Sequence, residues 1–297
     1  MTAIRTTEPA AGPDAAGLLL VDKPADFTSH DVVAIVRRAA GTRRVGHAGT
    51  LDPFATGLLV LLLGRATRLV DHLQGEPKVY EATIAFGAET TTDDRTGDVA
   101  REAPLPADAA VDAAIASLTG TIAQVPPSFS AKQVEGVRAH RAARSGQPLD
   151  LAPVQVTVHE WTILERSAKR LVARITCGGG TYIRALARDL GRLAGSAAHL
   201  DALRRTRSGV FDVRDAVSLD AVRARDFAPR SPLDGLPDMP RQILDEADAA
   251  RVLHGAAIAA RAGGAARVAL LDAAGRLLAI GERKDELVRP IVVLADA

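Results

Sequence analysis

One acidic side chain stands out by its setting. Asp52 lies in the stretch Val45-Gly46-His47-Ala48-Gly49-Thr50-Leu51-Asp52-Pro53-Phe54-Ala55-Thr56-Gly57, among glycines that let the backbone turn tightly or let a ligand come close. Pro53 fixes its own φ and keeps Asp52 out of the helical region, so the carboxylate belongs to an extended loop. At the ordinary carboxylate pKa of about 3.9 it is charged at neutral pH and can attack an electrophilic carbon with no general base. The same spelling, Asp-Pro flanked by glycine, also makes a plain structural turn, and physics alone leaves both readings open.

Other residues could share in chemistry. Arg37, Arg38, Arg43 and Arg44 lead into the Asp52 loop, Arg65 and Arg68 follow it, and Arg204, Arg205 and Arg207 cluster later. Such groups serve either as solvated faces or as contacts to phosphates. Gly178-Gly179-Gly180 runs into Thr181-Tyr182-Ile183-Arg184, which at a helix start could cradle an anion, but the Gly-Lys-Ser/Thr of a nucleotide loop is missing. A glycosidase-like pair of carboxylates would need a partner for Asp52, and Asp94 is the candidate. The seven histidines are scattered without cysteine or carboxylate partners at ligand spacing, so no metal site is expected. Cys177, the lone cysteine, excludes a disulfide framework and falls in an alternating apolar run, where a packed strand residue is expected.

The elements that must position these groups follow from periodicity. Gly17 to Val21 and Leu58 to Leu63 read as buried strands, and Val79 to Phe86 alternates, with Tyr80, Ala82, Ile84 and Phe86 on one face. Thr28 with Asp31 spells a capping box before a helix ending near Gly41. Further helices are expected over Asp108–Gly120, with Gly120 as C-cap, and after Thr181 as N-cap, with Ile183, Leu186, Ala187 and Leu190 inward. Val154 to Ile163 and Leu171 to Cys177 pair as antiparallel strands. The prolines and glycine of 233–240 suggest a linker to a small module holding a helix near 245–254 and strands at 267–271, 277–280 and 290–294.

Composition sets the frame. The chain has 297 residues, 47% of them hydrophobic and 25% charged, which suits one good core plus a smaller domain. Its 37 basic and 36 acidic residues nearly cancel, so net charge announces no nucleic-acid partner. No apolar run reaches the roughly 18 residues of a membrane span, and residues 1–16, rich in Ala, Pro and Thr, read as a disordered tail on a cytoplasmic protein.

The stretch Gly46-His47-Ala48-Gly49-Thr50-Leu51-Asp52-Pro53-Phe54-Ala55-Thr56-Gly57-Leu58-Leu59 resembles the G-H-x-G-x-L-D-P-x-A-x-G-x-L signature of the pseudouridine synthases, nearest to the bacterial TruB branch. Other segments resemble the same family. Lys23-Pro24-Ala25-Asp26-Phe27-Thr28-Ser29 matches K-P-x-G-x-T-S with Asp26 for glycine, and Lys78-Val79-Tyr80 matches K-x-Y. Thr90 to Gly97 matches T-D-T-x-D-x-x-G with Thr91 for the first aspartate. Pro126 to Gly136 is like P-P-x-[YF]-S-A-x-K-x-x-G, with Gln133 at the family lysine and Lys132 beside it. Gly180 to Arg184 gives G-T-Y-I-R, and Ala198 to Arg205 is like A-H-x-x-x-L-R-R.

This resemblance implies an α+β catalytic domain over 17–232 built on a mostly antiparallel mixed sheet with flanking helices. It also implies a small PUA-like, β-rich RNA-binding domain over 241–297. The implied reaction is isomerisation of uridine to pseudouridine in the T-loop of tRNA, at position 55, with no cofactor. Asp52 would act at C1′ or on the 2′ proton, His47 would fill the space left by the everted nucleotide, and Tyr80 and Leu203 would sandwich the base. Tyr182 and Arg184 would contact the aspartate and the base. Lys23, Arg65, Lys132, Arg204 and Arg205 are expected to meet RNA. The expected partner is the tRNA T-arm, met by a stand-alone monomer. The alternatives are a noncatalytic RNA-binding or RNA-folding protein and the glycosidase-like enzyme.

Overall fold

In this computed structural model the described residues are 16–73, 75–130, 132–134, 137–145, 147, 149–261 and 264–294. The expected N-terminal tail lies outside them through residue 15, as do Ala131, Glu135 and Gly136 of the proline-serine segment.

The strands of the first half are β1 (Gly17–Lys23), β2 (Val45–His47), β3 (Thr56–Leu63), β4 (Lys78–Phe86), β5 (Ala88–Thr90), β6 (Val99–Glu102) and β7 (Gly120–Gln124). There follow β8 (Gln133–Val134), β9 (Val137–Arg138), β10 (Val154–Ser167), β11 (Arg170–Cys177), β12 (Ala198–Ser208), β13 (Phe211–Asp212) and β14 (Val217–Ser218). Ten of them form one sheet in the order β14-β1-β3-β12-β4-β11-β10-β7, with β2 on β3 and β13 on β12. Only β1 with β14 and β3 with β12 run parallel, so the sheet is mixed and mostly antiparallel, as expected.

Helices α1 (Ser29–Ala40), α2 (Asp108–Ser117), α3 (Ala139–Arg144), α4 (Ile183–Leu193) and α5 (Leu219–Arg223) join these strands. α1, α2, α4 and α5 cover one sheet face, where Val32, Val36, Leu186, Leu190 and Val222 meet Leu19, Val21, Leu59, Leu61, Ala82 and Ile84 in one apolar cluster. The opposite face of β1 and β3, through Leu18, Leu20, Leu58, Val60 and Leu62, packs on Leu69, Phe211, Leu236, Ile280 and Leu294. Buried on both sides, these two strands are apolar at nearly every position; each such leucine stabilises the fold by roughly 1.5–3 kcal/mol. β4 is covered on one side only and alternates accordingly.

The C-terminal module is a five-stranded sheet, β15 (Arg241–Ile243), β17 (Arg267–Leu271), β18 (Leu277–Lys284), β19 (Leu287–Val293) and β16 (Ile258–Ala259) in spatial order, with α6 (Glu246–Leu253) packed on it. Residues 233–240 do not hang free. Pro232–Gly235 forms a 3-10 turn, Leu236 is buried, and Ile280 and Leu294 join the core beneath β1 and β3. No helix among the described residues is long and apolar enough to cross a membrane.

Two expected caps differ. Gly120 opens β7 at φ 92°, while α2 already ends at Leu118. Thr181 folds back to donate to the Gly178 carbonyl, which leaves Tyr182 as the N-cap of α4, with no side-chain cap bond among the described residues.

Candidate active site

The Asp52 loop enters β3 at the end of the sheet where β1 finishes. α1 starts beside it under the Thr28/Asp31 capping box and ends at Gly41 with φ 66°. The first helical residue, Ser29, is buried; its Oγ accepts from Leu51 N at 3.0 Å and donates to Leu51 O at 3.2 Å. Helix start and loop are therefore tied reciprocally. The turn before α1 explains a departure from the family pattern. Asp26 adopts φ 65° and donates its N–H to Pro53 O, a left-handed conformation that glycine takes freely and aspartate tolerates.

Two cations expected to meet RNA point inward instead. Lys23 is fully buried, and its Nζ donates to the carbonyls of Pro24, Phe27 and Pro53 at 2.9, 2.7 and 3.0 Å. Burial lowers its pKa to about 8. Arg205, 1% exposed, donates to Leu58 O, Gly49 O and Thr50 O. Apart from Leu58 in β3, the carbonyls they satisfy belong to the turn before α1 and to the Asp52 loop, outside any ladder, which is why the chain hides charge here. Arg204, on the other side of β12, is partly exposed and forks onto Asp22 at 3.0 and 2.7 Å. Arg65 is half-buried in the 3-10 turn after β3, and Lys132 is exposed.

The acid itself is held from the far side by α4. Arg184 donates Nε to Asp52 Oδ2 and Nη2 to Asp52 Oδ1, both at 3.0 Å, and spends its other hydrogens on Thr92 O and Phe129 O. The Arg184 side chain is 6% exposed and that of Asp52 31%, so the carboxylate is backed by protein and open on one side. Burial pushes its pKa above the usual carboxylate value; the Arg184 charge opposes that shift, and the Asp94 charge adds to it. The ordinary pKa expected for a loop aspartate is thus corrected, because the loop is packed rather than solvated.

Asp94 is a structural acid. It is 4% exposed, its Oδ1 accepts from Thr92 Oγ1, Thr96 N and Thr96 Oγ1, and its Oδ2 lies 3.5 Å from Arg184 Nη1. Buried, with Oδ1 taken by its own turn and Oδ2 facing Arg184, it is not free to serve as the second working carboxylate of a glycosidase.

The remaining candidates converge unevenly. Tyr80 and Leu203, each 7% exposed, come from neighbouring strands on the helix-covered face, with Tyr80 opposite Arg205 and Leu203 opposite Ala82. Burial raises the Tyr80 hydroxyl pKa, against the pull of Arg205. His47 is half-buried on β2, meets the His30 ring edge-on at 5.8 Å, and keeps Nδ1 buried without a hydrogen-bond partner among the described residues. Its pKa is lowered by burial, then by His30 and Arg205. Tyr182 is half-buried, its backbone clamped by Gln124 through N to Oε1 at 2.9 Å and Nε2 to O at 3.1 Å. The side chain of Gln133 lies outside the described residues.

Sequence reasoning missed the Ser29 clamp and the inward role of Lys23 and Arg205. A serine after an N-cap is too common to signal a clamp, and a buried cation is spelled like an exposed one. Cys177 is buried as expected, and burial pushes its thiol up to about 11. Among the described residues no group of three or more metal-ligand side chains gathers.

A mixed sheet with helices on one face, an aspartate loop at its strand ends and a small appended β domain is the architecture of the pseudouridine synthases. The archaeal box H/ACA Nop10–Cbf5 complex contains a chain of the same fold, with TM-score 0.69 at 24% identity over 98% of this chain and 93% of that one. The family models place the chain more narrowly: "TruB family pseudouridylate synthase (N terminal domain)" matches residues 37–183, and "tRNA pseudouridylate synthase B C-terminal domain" matches 184–236. The chain is similar to the tRNA pseudouridine synthase B of Thermobifida fusca, 47% identical over 94% of this chain and 98% of that one. It is also similar to that of Leifsonia xyli subsp. xyli, 53% identical over 68% of this chain and 70% of that one. The chain belongs to the TruB family of tRNA pseudouridine synthases.

Proposed function

We propose that this enzyme isomerises the T-loop uridine of tRNA, position 55, and that Asp52 is its catalytic residue. The observation that carries the reading is the fork of Arg184 on Asp52: a partly exposed carboxylate, short of solvation, is held in one orientation and kept ionised by two charge-assisted hydrogen bonds. A poorly solvated carboxylate of raised pKa is a stronger nucleophile and base than one in water.

In the reaction the N1–C1′ bond of uridine breaks, the uracil turns, and C5 bonds to C1′. The C5 proton leaves and N1 gains one, so the product is an isomer and no cofactor is consumed. Asp52 assists by adding to C1′ or by taking the 2′ proton. The glycosidic carbon of a folded loop is inaccessible, so the nucleotide is everted at a cost of a few kcal/mol. Tyr80 and Leu203 stack on the base, worth about 1–3 kcal/mol for the aromatic. Tyr182 flanks the base and His47 fills the gap in the RNA. Arg65, Lys132 and Arg204 contact the RNA, and the C-terminal module of 241–297 extends that contact as a PUA-like domain.

Tritium release from a C5-labelled tRNA transcript tests this. Asp52→Asn should abolish release while keeping tRNA affinity, and replacing the T-loop uridine by cytidine should abolish release by the unaltered enzyme. Absence of release by the unaltered protein would instead fit one that acts only by binding or refolding RNA, and undiminished release by Asp52→Asn would take the chemistry away from that residue.

A further inference from the structure

We propose that Arg95 is a substrate-binding residue of this enzyme, holding an RNA backbone phosphate beside the nucleotide that enters the Asp52 pocket. The proposal rests on the assignment of Asp52 to that pocket. In the pattern T-D-T-x-D-x-x-G, residue 95 falls on an unspecified position, so the resemblance assigns it nothing.

Three observations carry it. First, the Arg95 guanidinium lies over the Phe54 ring, 5.8 Å from its centroid, and Phe54 is buried two residues after Asp52. Stacking on a fixed ring removes rotamer freedom from a long side chain before any ligand arrives.

Second, the turn that carries Arg95 is rigid and belongs to the same assembly as the acid. Arg184 binds Asp52 and Thr92 O together, the Asp94 carboxylate ties down Thr92 and Thr96, and the backbone is laced to β12 by Arg95 N to Leu200 O and Leu200 N to Asp93 O, both 3.0 Å. The cation therefore keeps a fixed place relative to the acid.

Third, Arg95 is exposed, and among the described residues no carboxylate pairs with its guanidinium. The neighbouring cations are already committed: Arg184 to Asp52 and Asp94, Arg188 to Asp93 and Asp189, Arg204 to Asp22, and the buried Lys23 and Arg205 to backbone carbonyls. The other phenylalanine-mounted arginine, Arg223 over Phe27 at 5.4 Å, already holds Asp220 at 2.8 Å. An anion that must come close to an ionised aspartate needs a fixed, uncommitted cation nearby. A planar guanidinium offers a phosphate two parallel donors.

The test compares Arg95→Ala, Arg95→Lys and Arg95→Glu with Arg223→Ala and the unaltered enzyme, by tritium release from C5-labelled tRNA transcript over a range of salt. Melting curves show that each variant is folded. Arg95→Ala should raise KM about threefold to tenfold near 0.1 M salt, leave kcat within about twofold, and flatten the log-affinity against log-salt slope by about one. Arg95→Lys should keep the slope, Arg95→Glu should weaken binding further, and Arg223→Ala should change neither quantity. An unchanged KM and salt slope in folded Arg95→Ala would overturn the proposal. A loss confined to kcat would also overturn it, since Arg95 would then only steady the Phe54 loop. Failure of the Asp52 reading shows separately, as activity in Asp52→Asn.

Discussion

Arg184 and Asp52, 132 residues apart in sequence, meet through two parallel hydrogen bonds of 3.0 Å, and the same guanidinium reaches the carbonyls of Thr92 and Phe129. Both groups bonded by Nη2 depend on the planar fork. Arg184→Lys keeps the charge but serves one partner at a time, so tritium release should fall at least about a hundredfold, with tRNA affinity little changed. Arg184→Ala leaves the acid and two carbonyls unpaired and should destabilise the fold by about 3 kcal/mol, read by urea denaturation. Equal activity of the lysine variant would show that charge alone suffices.

With Asp52 in the proposed catalytic role, its raised pKa should set the acid limb of activity. Release should decline as pH falls through a midpoint above the ordinary carboxylate value, measured at saturating tRNA. The sign for stability is the reverse of the usual carboxylate case. With the folded value above the unfolded one, the folded chain holds more protons between the two, so this group's contribution falls as pH rises through that window. Asp52→Asn should remove that slope from the pH dependence of unfolding.

Lys23 bonds three carbonyls, and only the ammonium has three hydrogens to give. As pH passes about 8 the tether to Pro53 should loosen and kcat should fall on the alkaline side. In linkage terms a lysine whose folded pKa is lowered loses its proton earlier in the fold, so its own contribution to stability rises from pH 8 toward the unfolded value. Lys23→Met should lower kcat more than tenfold without flattening the salt dependence of tRNA binding; a flattened slope would return Lys23 to the RNA surface.

Gly57 sits at φ 101°, and a Cβ there would run into the Arg205 carbonyl oxygen where β3 meets β12. Gly57→Ala should cost several kcal/mol in denaturant unfolding and abolish release, because conformation and space both forbid it. Gly46→Ala meets only the Thr67 methyl at 3.7 Å, has no positive φ, and should stay within about 1 kcal/mol of the parent.

The strands β1, β3, β4, β10 and β11, the α1 capping box and the inward faces of β4 and α4 were legible because each follows from local periodicity or a local cap, whereas β12, with four charged residues in eleven, was met only as a family motif. Asp52, Arg184, Tyr80 and Leu203 were grouped only through the family pattern, since no spacing law joins residue 52 to 184 or 203; the contact of Arg184 with Asp52 is a tertiary fact. The direction of Lys23 and Arg205 was not legible: whether an arginine faces phosphate or a stranded carbonyl depends on which strand lies beside it. The β5–β6 hairpin and β15 went unseen because short edge strands carry too few residues for a period to register.

The parallel pairing of β12 on β3, Thr56 against Arg204 and Gly57 against Arg205, bears on how the protein is made. When the ribosome has released the Asp52 loop, its two arginine anchors have yet to be translated, and long-range strand pairing is slow to close. A nascent chain ending before residue 184 therefore carries the acid without its fork. The loop's anchors are complete only once both α4 and β12 have been made, so an incomplete polypeptide is a poor candidate for stray chemistry on the RNA around it.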